Sequence, residues 1–410
     1  MNNSEKMLVS LDQQDLIRAN KYFKKALLQD DAATLLDLAT YLESIGFYPQ
    51  AKEAYEQLVS EFPEVSLNLA NIANEDGNIE EAFAYLDQID EESPYYLEAL
   101  VVKADLYQSE GLADVAREKL LEATNLSDEP ILTFGLAELD MELGNFQEAV
   151  QEYAQLDNRV IYDMTGVSTY QRIGIAYASL GKFEAAIEFL EKAVELEYED
   201  QTVYELATLL YDQEEYQRAN LYYKQLDTIN PDFEGYEFAY AQSLHAEHKV
   251  AEALAMVQKG LSKNEFDQAL LLLASQYAYE EHNATLSEEY LLKAKESAED
   301  TNEVILRLTT LYLEQERFED VVDLENEDLD NVLARWNIAK AYQALENDEK
   351  ALEYFDSLMA DLSENPEFLA DYVQILRQDG AFHEARHVAA RYLKLVPDDV
   401  AMQDFYNQED

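Results

Sequence analysis

Residues 46–63 read GFYPQAKEAYEQLVSEFP, and residues 77–94 read GNIEEAFAYLDQIDEESP. Each stretch holds a Gly, an Ala five residues later, a Tyr or Leu four further on, and a Pro twelve after the Ala. The same order returns at Gly111 (GLADVAREKLLEA), Gly144 (GNFQEAVQEYAQL), Gly181 (GKFEAAIEFLEKA) and Gly380 (GAFHEARHVAARYL). Indexed on the small residue, the chain runs Ala19, Ala51, Ala82, Ala116, Ala149, Ala186, Ala219, Ala253, Ser287, Val321, Ala351 and Ala385, in steps of 30 to 37 residues. Twelve residues before most of these anchors lies a second small residue: Ala39, Ala70, Ala104, Ala137, Gly174, Ala207, Ala241 and Ala339.

That spacing describes a helical hairpin. Small residues on two facing helices let the backbones approach, and apolar residues at i, i+4 and i+7 around each form a buried stripe. Tyr170, Ile173, Gly174 and Tyr177 mark one such helix; Phe183, Ala186, Leu190 and Ala193 mark the next. Gly181 ends the first helix. Pro63, Pro94, Pro231 and Pro397 stop the second where they occur.

A hairpin of about 34 residues repeated along nearly the whole chain resembles the tetratricopeptide repeat (TPR) family. The resemblance implies an all-α fold, a right-handed superhelical solenoid of helix-turn-helix units. Residues 1–31 are then an N-terminal helical segment, 32–398 about eleven repeats, and 399–410 an acidic C-terminal cap. The step of 37 predicts extra loop or helix at 157–168, and the step of 30 predicts a bend near 325–331. Ser287 and Val321, in place of the anchor Ala, predict looser packing.

Composition narrows the function. Gly (11) and Pro (7) are too scarce for a loop-rich or all-β fold. The absence of Cys removes disulfides, zinc thiolates, iron–sulfur clusters and a thiol nucleophile. No stretch reads as a signal-peptide core or a membrane span, so a cytoplasmic location is expected. A net charge of −57 opposes binding to nucleic acid or to anionic membranes. It attracts a basic partner. Residues 1–30 hold five basic and four acidic side chains, and residues 371–410 hold four and eight. These less acidic ends suit docking to a partner or self-association with another copy's acidic middle.

No phosphate-binding, dinucleotide or nucleophile-elbow motif is present, so an enzyme is not expected, nor a cofactor. His383, Glu384 and His387 form HEARH, which matches the two-His-plus-Glu spacing of zinc hydrolases. The motif sits inside the repeat grammar of Gly380, Phe382 and Ala385 and has no third ligand, so it reads as helix surface and no metal is expected. His245 and His248 (HAEH) read as a helix end and its turn. Of the 29 Tyr, Tyr55, Tyr107, Tyr153, Tyr177, Tyr223, Tyr312 and Tyr342 fall at packing positions.

By the resemblance, partners bind the inner face carried by the first helix of each pair. Mapped by repeat, that face takes Asn71, Asn74, Asp105, Gln108, Glu138, Glu142, Tyr204, Thr208, Tyr211, Asp212, Gln242, His245, Gln276, Tyr279, Glu280, Trp336 and Lys340. Repeats that clamp acidic chaperone tails use cations there; this chain has Leu36, Leu67, Val101, Phe134, Tyr204, Phe238, Leu272 and Leu306. The expected function is a non-enzymatic scaffold or adaptor. It would hold a partner protein or peptide with a basic or aromatic segment in an acidic concave groove. The alternative is a peptide-sensing regulator, although only about 30 residues precede the first full repeat to serve as an effector. Self-repulsion of the acidic middle predicts that raising NaCl from about 0.05 to 0.5 M, which shortens the screening length severalfold, raises the melting temperature. Calorimetry showing a fall would contradict this.

Overall fold

A computed structural model describes residues 1–326 and 328–408. Residue 327 of the expected bend and residues 409–410 of the expected cap lie outside the described residues. The chain divides into two compact units, Met1–Leu209 and Leu210–Asp410. Among the described residues every regular element is a helix, and each unit is an all-α stack of hairpins, a solenoid. No helix is long and apolar enough to cross a membrane.

The first unit opens with a hairpin of α1 (Asn3–Asp12) and α2 (Leu16–Gln29). Four hairpins follow: α3 (Ala32–Ser44) with α4 (Tyr48–Leu58), α5 (Val65–Glu75) with α6 (Ile79–Leu86), α7 (Tyr96–Ser109) with α8 (Ala113–Leu126), and α9 (Pro130–Glu142) with α10 (Phe146–Tyr153). A short extra helix, α11 (Asn158–Thr165), precedes α12 (Thr169–Ser179) and α13 (Phe183–Leu196). The boundary between the units falls inside α14 (Asp200–Asp212), and α15 (Tyr216–Ile229) follows in the second unit. The second unit continues with α16 (Tyr236–Ala246) and α17 (Val250–Lys263), then α18 (Gln268–Glu280) and α19 (Ala284–Ser297). Next come α20 (Asn302–Glu314) and α21 (Phe318–Val322), α22 (Val332–Ala344) and α23 (Asp348–Leu358), and α24 (Pro366–Gln378) and α25 (Phe382–Leu395). After them α26 (Val400–Asn407) packs through buried Phe405, which lies under the Arg377 guanidinium.

The indexed positions are the core. Ala39, Ala51, Ala70, Ala82, Ala137, Ala149, Ala207, Ala219, Ala241 and Ala253 are fully buried. At Gly174 the helices come so close that a Cβ would sit 2.7 Å from Leu190 Cγ, a distance no side chain tolerates. Ser287 does not loosen its hairpin. Its hydroxyl lies 2.9 Å from that of Ser275, the small residue twelve positions earlier, and both are buried. A buried hydroxyl needs such a partner. Val321 is fully buried on the five-residue α21, where the repeat is truncated. The extra residues after α10 form α11, pinned by Asn158, whose side-chain carbonyl accepts from the Thr169 N–H at 2.8 Å. The N-terminal segment is itself a repeat-like hairpin, with buried Met7 in the small-residue position twelve before Ala19.

Every hairpin turns through one left-handed residue five positions before the anchor. Six are Gly46, Gly77, Gly111, Gly144, Gly181 and Gly380. The other six are Gln14, Glu214, His248, His282, Glu316 and Glu346, with φ between 56° and 61°. A side chain in this conformation costs about 1–2 kcal/mol, and glycine does not carry that cost. Glu346→Gly should therefore stabilise the chain by about 1 kcal/mol and Gly111→Ala destabilise it by a similar amount. Denaturant unfolding of the two variants checks the signs, and a stabilised Gly111→Ala would contradict the assignment.

Candidate partner-binding surfaces

Because the first helices recur at one register, a side chain on one meets its counterpart about 34 residues on. In the first unit, Gln108 Nε2 donates to Glu142 at 2.8 Å and Gln171 Nε2 to Glu205 at 3.3 Å. In the second unit, His245 Nε2 lies 2.7 Å from Glu280, Tyr279 Oη donates to Glu314 at 2.5 Å, and Gln343 Nε2 donates to Gln378 at 2.9 Å. These contacts form a polar ladder across successive first helices.

Of the expected inner-face residues, Gln108, Glu142, His245, Tyr279 and Glu280 take part in these contacts. In the first unit Asn71, Asn74, Asp105, Gln108 and Glu142 are exposed, whereas Tyr204 and Thr208 are half-buried. Glu138 is pinned between the Tyr153 hydroxyl and Arg172, the latter at 2.9 Å. In the second unit Asp212, Tyr279 and Glu280 are exposed, and Tyr211, Gln242, Gln276 and Lys340 are half-buried. His245 stacks on Tyr277 with ring centroids 4.6 Å apart. Trp336 requires a correction. It is only 7% exposed, its indole N–H donates to Asp371 at 3.2 Å, and its ring meets Phe368 edge-on. The large ring is drawn into the inter-repeat core and does not face a groove; Lys340 covers its remaining face.

At the places where chaperone-clamping repeats carry cations, Leu36, Leu67, Val101, Phe238, Leu272 and Leu306 are half-buried, and Phe134 is buried. Where Leu306 meets Tyr279, Gln276, Glu314, Arg307 and Leu333, the surface deepens into a cleft of about 490 Å³. Arg307, a cation absent from the expected set, is held by Glu303 at 2.8 Å and by the Leu272 carbonyl at 3.1 Å. Its neighbours in sequence are apolar, so no motif marks it. The hydrogen bond to the Glu314 carboxylate, and then that carboxylate's charge, push the Tyr279 phenol up, since ionisation would place two negative charges side by side. His383, with 94% of its side chain exposed, and the exposed His387 lie on the outer surface of α25. Among the described residues, no group of three His, Cys, Asp or Glu side chains is placed to hold a metal.

A second cluster was not evident in the repeat pattern. Asp140 on α9 is fully buried; its Oδ1 accepts from Arg117 Nε on α8 at 2.6 Å and from Asn145 Nδ2 at 2.7 Å. Asp140 Oδ2 and Glu152 Oε2, on α10, are buried without a donor. One proton shared between the two carboxyls satisfies both oxygens. Burial first, then the Asp140 charge and hydrogen bond, push the Glu152 carboxyl up from 4.5 to about 7.

Repeat models match four parts of the chain. Tetratricopeptide repeats match residues 36–96 and 167–200; YpiA-like tetratricopeptide repeats match 108–160, and YpiA-like C-terminal tetratricopeptide repeats match 333–399. The chain belongs to the tetratricopeptide repeat family. It is similar to the TPR repeat-containing protein YpiA of Bacillus subtilis (strain 168), at 28% identity over 321 residues, covering 77% of this chain and 76% of that protein. Among solved structures, a chain of Naa15/Naa10 bound to HypK-THB superposes with a TM-score of 0.42 at 17% identity; the match covers 90% of this chain but 64% of that one. YrrB, described as a TPR protein with an unusual peptide-binding site, gives 0.39 at 19% identity, covering 48% of this chain and 97% of that one.

The carboxyl pair makes stability depend on pH. Glu152 holds its proton more tightly folded than unfolded, so its contribution is complete below about 4.5 and is lost as pH rises through about 7. The loss should be on the order of 2 kcal/mol. Glu152→Gln, whose amide can still donate to Asp140, should remove this slope and be the more stable form at pH 8. Urea midpoints at pH 5 and 8 check it; an unchanged slope would contradict the shared proton.

Proposed function

We propose that the chain is a non-enzymatic scaffold or adaptor of the bacterial cytoplasm that holds a partner's basic, aliphatic or aromatic segment against the inner face of its repeats. The observation that carries this reading is the cleft at Leu306. It joins an apolar floor to a rim of Tyr279 and Glu314, both presented at the surface. An aliphatic or aromatic side chain gains from desolvation on the floor, and a Lys or Arg beside it meets the carboxylate. Membership of the repeat family supports protein–protein interaction as the general role. The net charge of −57 supports a basic partner through long-range attraction. Tyr supplies buried area with a polar tip, which suits it to anchoring an interface.

The test is binding of a peptide array in which Lys or Arg flanks Leu or Phe, read against the full chain and a Tyr279→Ser, Leu333→Ser variant. The double variant should weaken the best binders roughly tenfold, equivalent to about 1.4 kcal/mol, with helicity unchanged. Equal binding to both proteins would remove the cleft from the proposal.

A further inference from the structure

The second helices of successive repeats are stitched at a fixed register. Lys52, one residue after anchor Ala51, pairs with Glu81, one before anchor Ala82, at 2.7 Å. Tyr85, three after Ala82, donates to Glu56, five after Ala51, at 3.0 Å, and its ring lies 5.9 Å from the Lys52 ammonium. Lys24, five after Ala19, pairs with Glu53, two after Ala51, at 2.5 Å. In the second unit Gln258, five after Ala253, bonds Tyr290, three after Ser287, at 3.0 Å. A second helix therefore offers positions one and five after its anchor to the helix that follows. It meets the helix that precedes with positions one before, two after and three after.

On α2 those preceding-side positions are Arg18, Lys21 and Tyr22, and among the described residues no second helix lies against them. Tyr22 occupies the register of Tyr85 and Tyr290, but in place of a neighbour's acceptor it is ringed by cations. Lys6 Nζ, Arg18 Cζ and Lys25 Nζ lie 6.0, 5.8 and 5.9 Å from its centroid. These charges, Arg18 foremost, hold the phenol below its ordinary pKa. Among the described residues Lys6, Arg18, Lys21 and Lys25 form no ion pair, in a chain with 86 acidic and 29 basic side chains; Lys24 on the same helix finds Glu53. At 100° per residue, Ile17, Leu28, Lys21, Lys25, Arg18 and Tyr22 fall on one contiguous face. Ile17 and Leu28 are the most exposed large apolar side chains described, at 88% and 82%.

We propose that this face of α2 receives an acidic amphipathic helix of a partner protein, stacked in the place of a preceding repeat's second helix. The register sets the partner's chemistry. Two carboxylates four residues apart come opposite Arg18 and opposite Lys21 with the Tyr22 hydroxyl, and aliphatic residues of the partner cover Ile17 and Leu28. Charge complementarity favours such a helix over a second copy, whose own first face is equally cationic and whose last helix, α26, carries a single carboxylate. A lipid surface has the sign but not the spacing, and would repel the remaining charge. This surface is distinct from the cleft at Leu306, and either assignment can fail without the other.

The probe is a labelled, helix-stapled peptide of residues 46–61 carrying Lys52→Glu, which places carboxylates at both register positions; the unsubstituted peptide is the control. Fluorescence anisotropy with the full chain should show saturable binding of the substituted peptide, at least tenfold tighter than the control. Arg18→Glu with Lys25→Glu should weaken it at least tenfold, while Tyr279→Ser leaves it unchanged. Should the double variant lose helicity, Lys21→Glu alone should still weaken binding severalfold. No saturable binding, or binding indifferent to these substitutions, overturns the proposal. So does sedimentation in which the same substitutions abolish a wild-type dimer, or phosphatidylglycerol vesicles captured in preference to the peptide; these outcomes assign the face to a second copy or to lipid.

Discussion

The close approach of two helices at one small residue each is the constraint on which the rest of the chain is built. Where Gly174 faces Leu190 there is no room for even a methyl group. Elsewhere two alanines, or two serines joined by a hydrogen bond, hold the same separation. The separation sets the crossing of each pair, and the pair's stripe then has to be covered by the next pair. Register is inherited from hairpin to hairpin, so polar contacts between neighbours repeat at 34 or 35 residues without a sequence motif to announce them.

Much of this was legible in the residues. The anchors, their partners twelve positions back and the turn five positions ahead of each are spacing rules, and spacing survives in a single sequence. Periodicity likewise places Gln108, His245 and Tyr279 on first helices, where each meets a counterpart one repeat on. Burial of individual side chains was not legible. Trp336 shares its register with half-buried residues of other repeats, Leu67, Tyr204 and Leu306 among them, but a large ring at that position reaches Phe368 and Asp371 of the next hairpin. Met7 concealed the first hairpin because a flexible side chain can fill the place of an alanine. The Asp140–Glu152 pair lay hidden among 86 acidic residues, because a shared proton depends on atoms brought together by three helices.

Charge is organised by the same stacking. Several cations sit where a neighbouring repeat supplies a carboxylate, as with Lys52 and Glu81 or Arg317 and Glu288. Such half-exposed pairs add little to stability, because solvent screens them and ordering two long side chains has an entropic cost. Their value is in alignment: each fixes how one hairpin slides on the next.

The left-handed turn residues are unevenly shared. In the first unit five of the six turns use glycine, and only Gln14 does not; in the second, five use Glu or His, and only Gly380 is glycine. Backbone tension is thus concentrated in one half of the molecule. In a linear array each hairpin is secured only by its neighbours, so local opening starts where individual hairpins are weakest. Amide protons of the second unit should exchange with solvent sooner than those of the first, and a protease or unfolding machine would find its initial foothold there.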